Sequence, residues 1–135
     1  MTYLVDVNVL SELTKPAPDD KVVSWLNANE GDFVVDSIVL GELRIGILSL
    51  APGRKRVQLE RWFADVVETI DCLPWDGVVS CRWADLVVES RRKGRNLPLL
   101  DGMIAASALV HGLTVATRNI RDFQRAGVEV FDPFA

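Results

Sequence analysis

Four acids, Asp6, Glu42, Asp101 and Asp122, are the residues of this sequence whose types and settings point to chemistry. Asp6 ends the apolar run Tyr3-Leu4-Val5, with no basic residue within four positions. Glu42 has Ile38, Val39, Ile45 and Gly46 at the facing helical positions, so no local ion pair forms, and Arg44 points elsewhere. Asp101 faces Leu97, Pro98, Ile104 and Ala105 and is equally without a local partner. Asp122 differs, because Arg118 and Arg125 stand at i−4 and i+3, the spacing of a surface ion pair. Gathered at one place, four carboxylates repel and shift one another's protonation unless a divalent cation neutralises them. Oxygen ligands with no His or Cys among them select Mg²⁺ or Mn²⁺ over Zn²⁺. The chemistry expected of such a centre is hydrolysis of phosphate esters by water that the metal activates.

Each acid taken singly also has an ordinary structural role. Asp6 and Asp101 sit where they can cap helices, Glu42 can be a solvated helical residue, and Asp122 can pair with its arginines. What favours a common site is their placement at strand ends and helix starts, which fall on one rim of a parallel sheet.

The elements that must position these acids are short. Tyr3-Leu4-Val5 and Phe33-Val34-Val35 lack polar alternation, as expected of strands covered on both faces. Asn8 is expected to cap a helix over residues 9–14, and Val22, Trp25, Leu26 and Ala28 mark a second helix, after Pro16 and Pro18. Asp36 or Ser37 caps a helix with the stripe Leu40, Leu43, Ile47 and Leu50, and Glu42 lies on its flank with Ile38 and Ile45. A further helix carries Leu59, Phe63, Val66 and Ile70. Arg54, Lys55 and Arg56 at its start oppose the helix dipole, which places them in the loop or assigns them another task. Residues 70–73 read as a third strand. Asp76 then caps a helix with Val79, Trp83, Leu86 and Val87 that reaches about Arg92. After Pro98 come a helix over residues 101–111, Gly112 as its stop, the strand Thr114-Val115-Ala116, a helical turn over 120–125 and an edge strand over 128–130. Strands alternating with helices of crossover length predict an α/β fold, a central mainly parallel sheet between helical layers, as one domain over residues 1–135.

Composition agrees, with 49% hydrophobic and 25% charged residues in a chain of 135. No apolar run is long enough to span a bilayer and none resembles a signal peptide, so no membrane association and a cytoplasmic location are expected. Cys72 and Cys81 are the only cysteines and His111 the only histidine, which excludes a zinc-ligand pattern and a disulfide framework. The thiols are expected to be buried apolar fillers. Net charge is −4, yet residues 82–125 hold eight basic and four acidic residues. That excess suggests that Arg91, Arg92, Lys93 and Arg95, with Arg118 and Arg121, guide an anionic backbone toward the acids. A solvated helix end is the plain alternative.

Three blocks carry a resemblance: LVDVNVLSEL at 4–13, SIVLGELRIGI at 37–47 and LPLLDGMIAASALVHGLTVATRNIRDF at 97–123. In this order and spacing the chain resembles the PIN-domain ribonucleases, and among them the VapC-type toxins of toxin–antitoxin pairs, in their FitB-like branch. The resemblance implies a three-layer α/β/α fold. It places Asp6, Glu42, Asp101 and Asp122 in the acidic metal site and Asn8, Ser37, Arg118 and Asn119 in supporting positions. It further implies an Mg²⁺- or Mn²⁺-dependent endoribonuclease that leaves 5′-phosphate and 3′-hydroxyl ends, a cognate antitoxin partner and a homodimer. This chain departs from the family pattern at Val7, where a hydroxyl residue is usual. Members also differ in whether the last acid stands at the position of Asn119 or of Asp122. Other readings that the residues allow are a metal-dependent nuclease or phosphatase acting on other substrates, and a catalytically inactive interaction module.

Overall fold

In the computed structural model, which describes residues 2–135, the apolar runs become five strands: β1 (Tyr3–Val5), β2 (Phe33–Asp36), β3 (Cys72–Leu73), β4 (Thr114–Ala116) and β5 (Val130–Phe131). They form one sheet in the order β3-β2-β1-β4-β5, and every pairing is parallel. The strands at the centre are fully covered, as their unbroken apolar character requires: Leu4, Val5, Val35 and Val115 are buried.

Between the strands run α1 (Val7–Leu10), continued by a 3-10 turn over Ser11–Thr14, then α2 (Asp20–Ala28), α3 (Ser37–Leu48), α4 (Arg54–Thr69), α5 (Gly77–Arg92), α6 (Leu99–His111) and α7 (Ile120–Arg125). Carboxylates start four of them. Asp6 accepts from Val7 N at 2.8 Å, Asp19 from Lys21 N at 2.8 Å, Asp36 from Ile38 N at 2.8 Å and Asp76 from Val79 N at 3.0 Å. The most enclosed helix is α6, whose run Ile104 to Ala108 is buried and whose small side chains let α5 pack along it. It stops at Gly112, which takes the left-handed conformation at φ 66°.

Register places the functional rim. Leu4 is level with Val34 and Val5 with Ala116, so one further residue sets Asp36, Asp6 and Thr117 in a row at the carboxyl ends of β2, β1 and β4. The chain runs outward from β1 through β2 to β3, then returns to the other side of β1 as β4. The crevice between β1 and β4 is therefore the switch point at which open α/β sheets collect ligands.

Several expectations need correction. Asp6, not Asn8, caps the first helix, which begins at Val7 because a carboxylate at the strand end reaches the next amide. The stripe of α3 is Val39, Leu43 and Ile47, while Ile45 is 65% exposed, so the flank that bears Glu42 opens to solvent beyond it. The third strand is confined to Cys72–Leu73, and the last is shifted to Val130–Phe131 because those residues pair with Val115 and Ala116. Both cysteines are exposed. Cys72 lies on a two-residue edge strand, and Cys81 lies away from the buried Val79 and Leu86 of α5. Arg54, Lys55 and Arg56 stand inside the first turn of α4, where Arg56 is half-buried and pairs with Glu60 at 3.5 Å.

Candidate metal centre

Asp6 is buried in the switch-point crevice. Its Oδ1 caps α1, and its Oδ2 accepts from Thr117 Oγ1 at 2.8 Å and from Asn8 Nδ2 at 3.3 Å. Burial pushes its carboxyl above the ordinary range, and the bonds from Thr117 and Val7 pull it back. Thr117 joins the rim together, because its hydroxyl also accepts from Asn119 N at 3.0 Å and from Asn8 Nδ2 at 3.3 Å. Asn8 Oδ1 in turn accepts from Arg118 N at 3.1 Å.

Glu42 projects from the middle of α3, half-buried, and its Oε1 is a buried atom with no hydrogen-bond partner among the described residues. Loss of water first, then the charges of Asp6 and Asp101, push its carboxyl up to about 7. Asp101, in the first turn of α6, is pushed up to about 6 by burial, Asp6 and Asp122 in that order, against the bond from Asn119. Asn119 Nδ2 donates to Asp101 Oδ2 at 2.7 Å and to Asp122 Oδ2 at 3.0 Å, so one amide bridges both acids.

The acids thus stand on one rim, where the charges of Asp6 and Asp101 act on Glu42 and those of Asp6 and Asp122 on Asp101. They do not close into a tight cluster: among the described residues no group of three or more acidic, histidine or cysteine side chains is gathered closely enough to hold an ion as it stands. Asn119 stands between the last two and donates to both. The donor chemistry nonetheless fits a hard divalent cation. Every candidate ligand is a carboxylate oxygen, and the unpartnered Glu42 Oε1 is an acceptor whose burial is otherwise uncompensated.

Of the supporting residues, Asn8, Arg118 and Asn119 belong to this network, Arg118 through its backbone amide. Its guanidinium lies 4.2 Å from the ring centroid of Phe134 and makes no ion pair with Asp122. Ser37 opens α3, and among the described residues its hydroxyl makes no bond to the acids. Thr117 is the participant that sequence reasoning missed. Val7 offers no hydroxyl beside Asp6, and Thr117 supplies one from across the sheet; the signal was its place one residue beyond β4. The structure adds a cleft of about 320 Å³ that starts at Glu42 and Val7 and carries Lys15 and Lys55 on its lining. The basic residues Arg91, Arg92, Lys93 and Arg95 are exposed around the end of α5, and Arg121 is exposed on α7.

A parallel α/β domain with crowded carboxylates over the switch point of its sheet is the class that these observations define. The chain belongs to the PIN-domain family, whose profile matches residues 3–129. It is 33% identical to VapC ribonuclease Y4jK of Sinorhizobium fredii, with 97% of this chain and 96% of that protein covered. It is 35% identical to Toxin FitB of Neisseria gonorrhoeae, with 97% of both covered. Among solved structures, FitAB bound to an IR36 DNA fragment superposes with a TM-score of 0.93 at 33% identity, over 99% of this chain and 96% of that one.

Proposed function

We propose that this protein is a metal-dependent endoribonuclease, the toxin of a toxin–antitoxin pair, in which Asp6, Glu42, Asp101 and Asp122 hold Mg²⁺ or Mn²⁺ over an RNA phosphodiester. The observation that carries the reading is the buried Asp6 with the half-buried Glu42 and Asp101 on one rim at the switch point, with the Glu42 oxygen unpartnered, in a chain related to proteins named as VapC ribonucleases. A cation bound there supplies charge neutralisation and a nucleophilic water at neutral pH. The chain's own part is positional. Asp6 is fixed through both oxygens by Val7, Asn8 and Thr117, and Asn119 sets Asp101 against Asp122. In the metal-free protein burial and the neighbouring acids raise the Glu42 carboxyl to about 7 and that of Asp101 to about 6, and a divalent cation held among these acids would offset that repulsion.

The exposed cations Arg91, Arg92, Lys93, Arg95 and Arg121 draw the RNA backbone toward an otherwise repellent rim. The FitAB structure is support for an antitoxin as the protein partner. Exposed Val78 and Val88 on α5, with Leu99 and Leu100 on α6, offer apolar surface for a second copy. Among the described residues no helix is long and apolar enough to cross a membrane.

The test is cleavage of RNA and of DNA by the purified protein with Mg²⁺ and then with EDTA, with the product ends mapped. RNA cut to 5′-phosphate and 3′-hydroxyl ends only with metal supports the reading. Cleavage of DNA or of phosphomonoesters alone moves the protein to the other metal-dependent class. No cleavage under any condition makes it an interaction module. Asp6→Asn and Asp101→Asn that each leave cleavage intact overturn the site assignment.

A further inference from the structure

One buried polar pair takes no part in the mechanism above. Asp36 ends β2 and Ser107 lies in the middle of α6, and both are 0% exposed. Ser107 Oγ donates to Asp36 Oδ2, while Asp36 Oδ1 accepts from Ile38 N at 2.8 Å in the first turn of α3. One carboxylate thus fastens the start of α3 to α6. Among the described residues this is the only side-chain hydrogen bond that joins those two parts. A helix cap alone requires one oxygen and no hydroxyl from a residue 71 positions away.

The positions of the acids give the tie a task. Glu42 stands six residues after Asp36, and Asp101 six before Ser107. Each acid is therefore about 9 Å along its helix from the tie, close enough for one bond to govern its offset. Helices α3 and α6 pack against each other, so an offset between them moves the two acids relative to one another. Asp36 also stands in the same row as Asp6 and Thr117 at the sheet rim. A bond buried away from competing water is a stiff link in such a frame.

We propose that Asp36 and Ser107 are positioning residues whose buried bond sets the spacing of Glu42 on α3 against Asp101 on α6. The proposal rests on the reading of these acids as metal ligands. Residues that orient ligands without touching the ion change metal affinity by about 10- to 100-fold when they are lost.

The experiment is calorimetric titration of Mn²⁺ into the full chain without RNA, with RNA cleavage measured against metal concentration alongside. Ser107→Ala removes the donor. Asp36→Ser keeps an acceptor for the α3 cap but cannot reach α6, so it breaks the tie in a second way. Both are expected to weaken Mn²⁺ binding about 10-fold and to raise the metal concentration for half-maximal cleavage by the same factor. Ser107→Thr, which keeps the hydroxyl, restores binding. Val22→Ala, a core truncation in α2 outside this seam, lowers Tm and leaves Mn²⁺ affinity unchanged. The role is overturned if both tie variants bind Mn²⁺ within about twofold of wild type, or if Val22→Ala weakens binding as much as they do. Wild-type protein that binds no Mn²⁺ overturns the metal reading itself, an outcome distinct from equal binding by wild type and variants.

Discussion

Glu42→Gln separates what this site does for function from what it costs in stability. In the metal-free protein Glu42 carries a carboxyl raised from the ordinary 4.5 to about 7 by lost hydration and by the charges of Asp6 and Asp101. The folded chain therefore holds this proton more tightly than the unfolded chain. Stability is lost as pH rises from about 4.5 through 7, the direction for an acid whose folded pKa is raised. At 1.36 kcal/mol per pH unit the shift corresponds to about 3 kcal/mol, and solvent screening at this half-open rim brings it to about 1–2 kcal/mol. Gln keeps the shape and discards the charge. In EDTA the variant is expected to exceed wild type in stability at pH 8 by about 1–2 kcal/mol, or a Tm rise of about 3–8 °C for a chain of this size. The gain shrinks below pH 7 and vanishes near pH 4. The assay is thermal and urea denaturation across that range, with RNA cleavage in Mg²⁺ falling about 10²-fold in the same variant. A gain independent of pH, or a variant less stable than wild type at pH 8, would mean that lost hydration and the charges of Asp6 and Asp101 do not raise this carboxyl.

Other perturbations read other parts of the frame. Thr117→Ala removes the hydroxyl that Asp6 accepts at 2.8 Å and leaves a buried carboxylate short of a partner, a loss of about 1–3 kcal/mol in urea denaturation. Thr117→Ser retains most of that stability because it retains the donor. Reversing charge with Arg92→Glu and Arg95→Glu is expected to weaken RNA binding and to flatten its salt dependence by about one unit of slope per lost phosphate contact. Unchanged affinity and slope assign these residues to a solvated helix end.

Much of this architecture was legible because it is written locally. The apolar runs at Tyr3–Val5, Phe33–Asp36 and Thr114–Ala116 announce covered strands, and Asp36 and Asp76 announce the helices they cap. Asp6, Glu42 and Asp101 stood out because nothing near them in sequence could neutralise them, and the structure places them on one rim. What was hidden depends on long-range pairing. Thr117 meets Asp6 across 111 positions, and the second oxygen of Asp36 meets Ser107 across 71, so neither bond leaves a periodic signal. Cys72 and Cys81 look like core residues by type, but the face on which each lies is set by a two-residue strand pairing and by the rotation of α5. Asp122 was balanced between an ion pair and the site. In the structure Asn119 donates to it and to Asp101 alike, and the Arg118 guanidinium lies over Phe134 instead.

The most direct test of the central claim is RNA cleavage as a function of Mg²⁺ concentration by wild type, Asp6→Asn and Asp101→Asn, each shown to be folded. Saturable, EDTA-reversible cleavage by wild type and its loss in both variants are expected. Cleavage that persists in EDTA, or that survives either substitution at unchanged metal dependence, contradicts that claim.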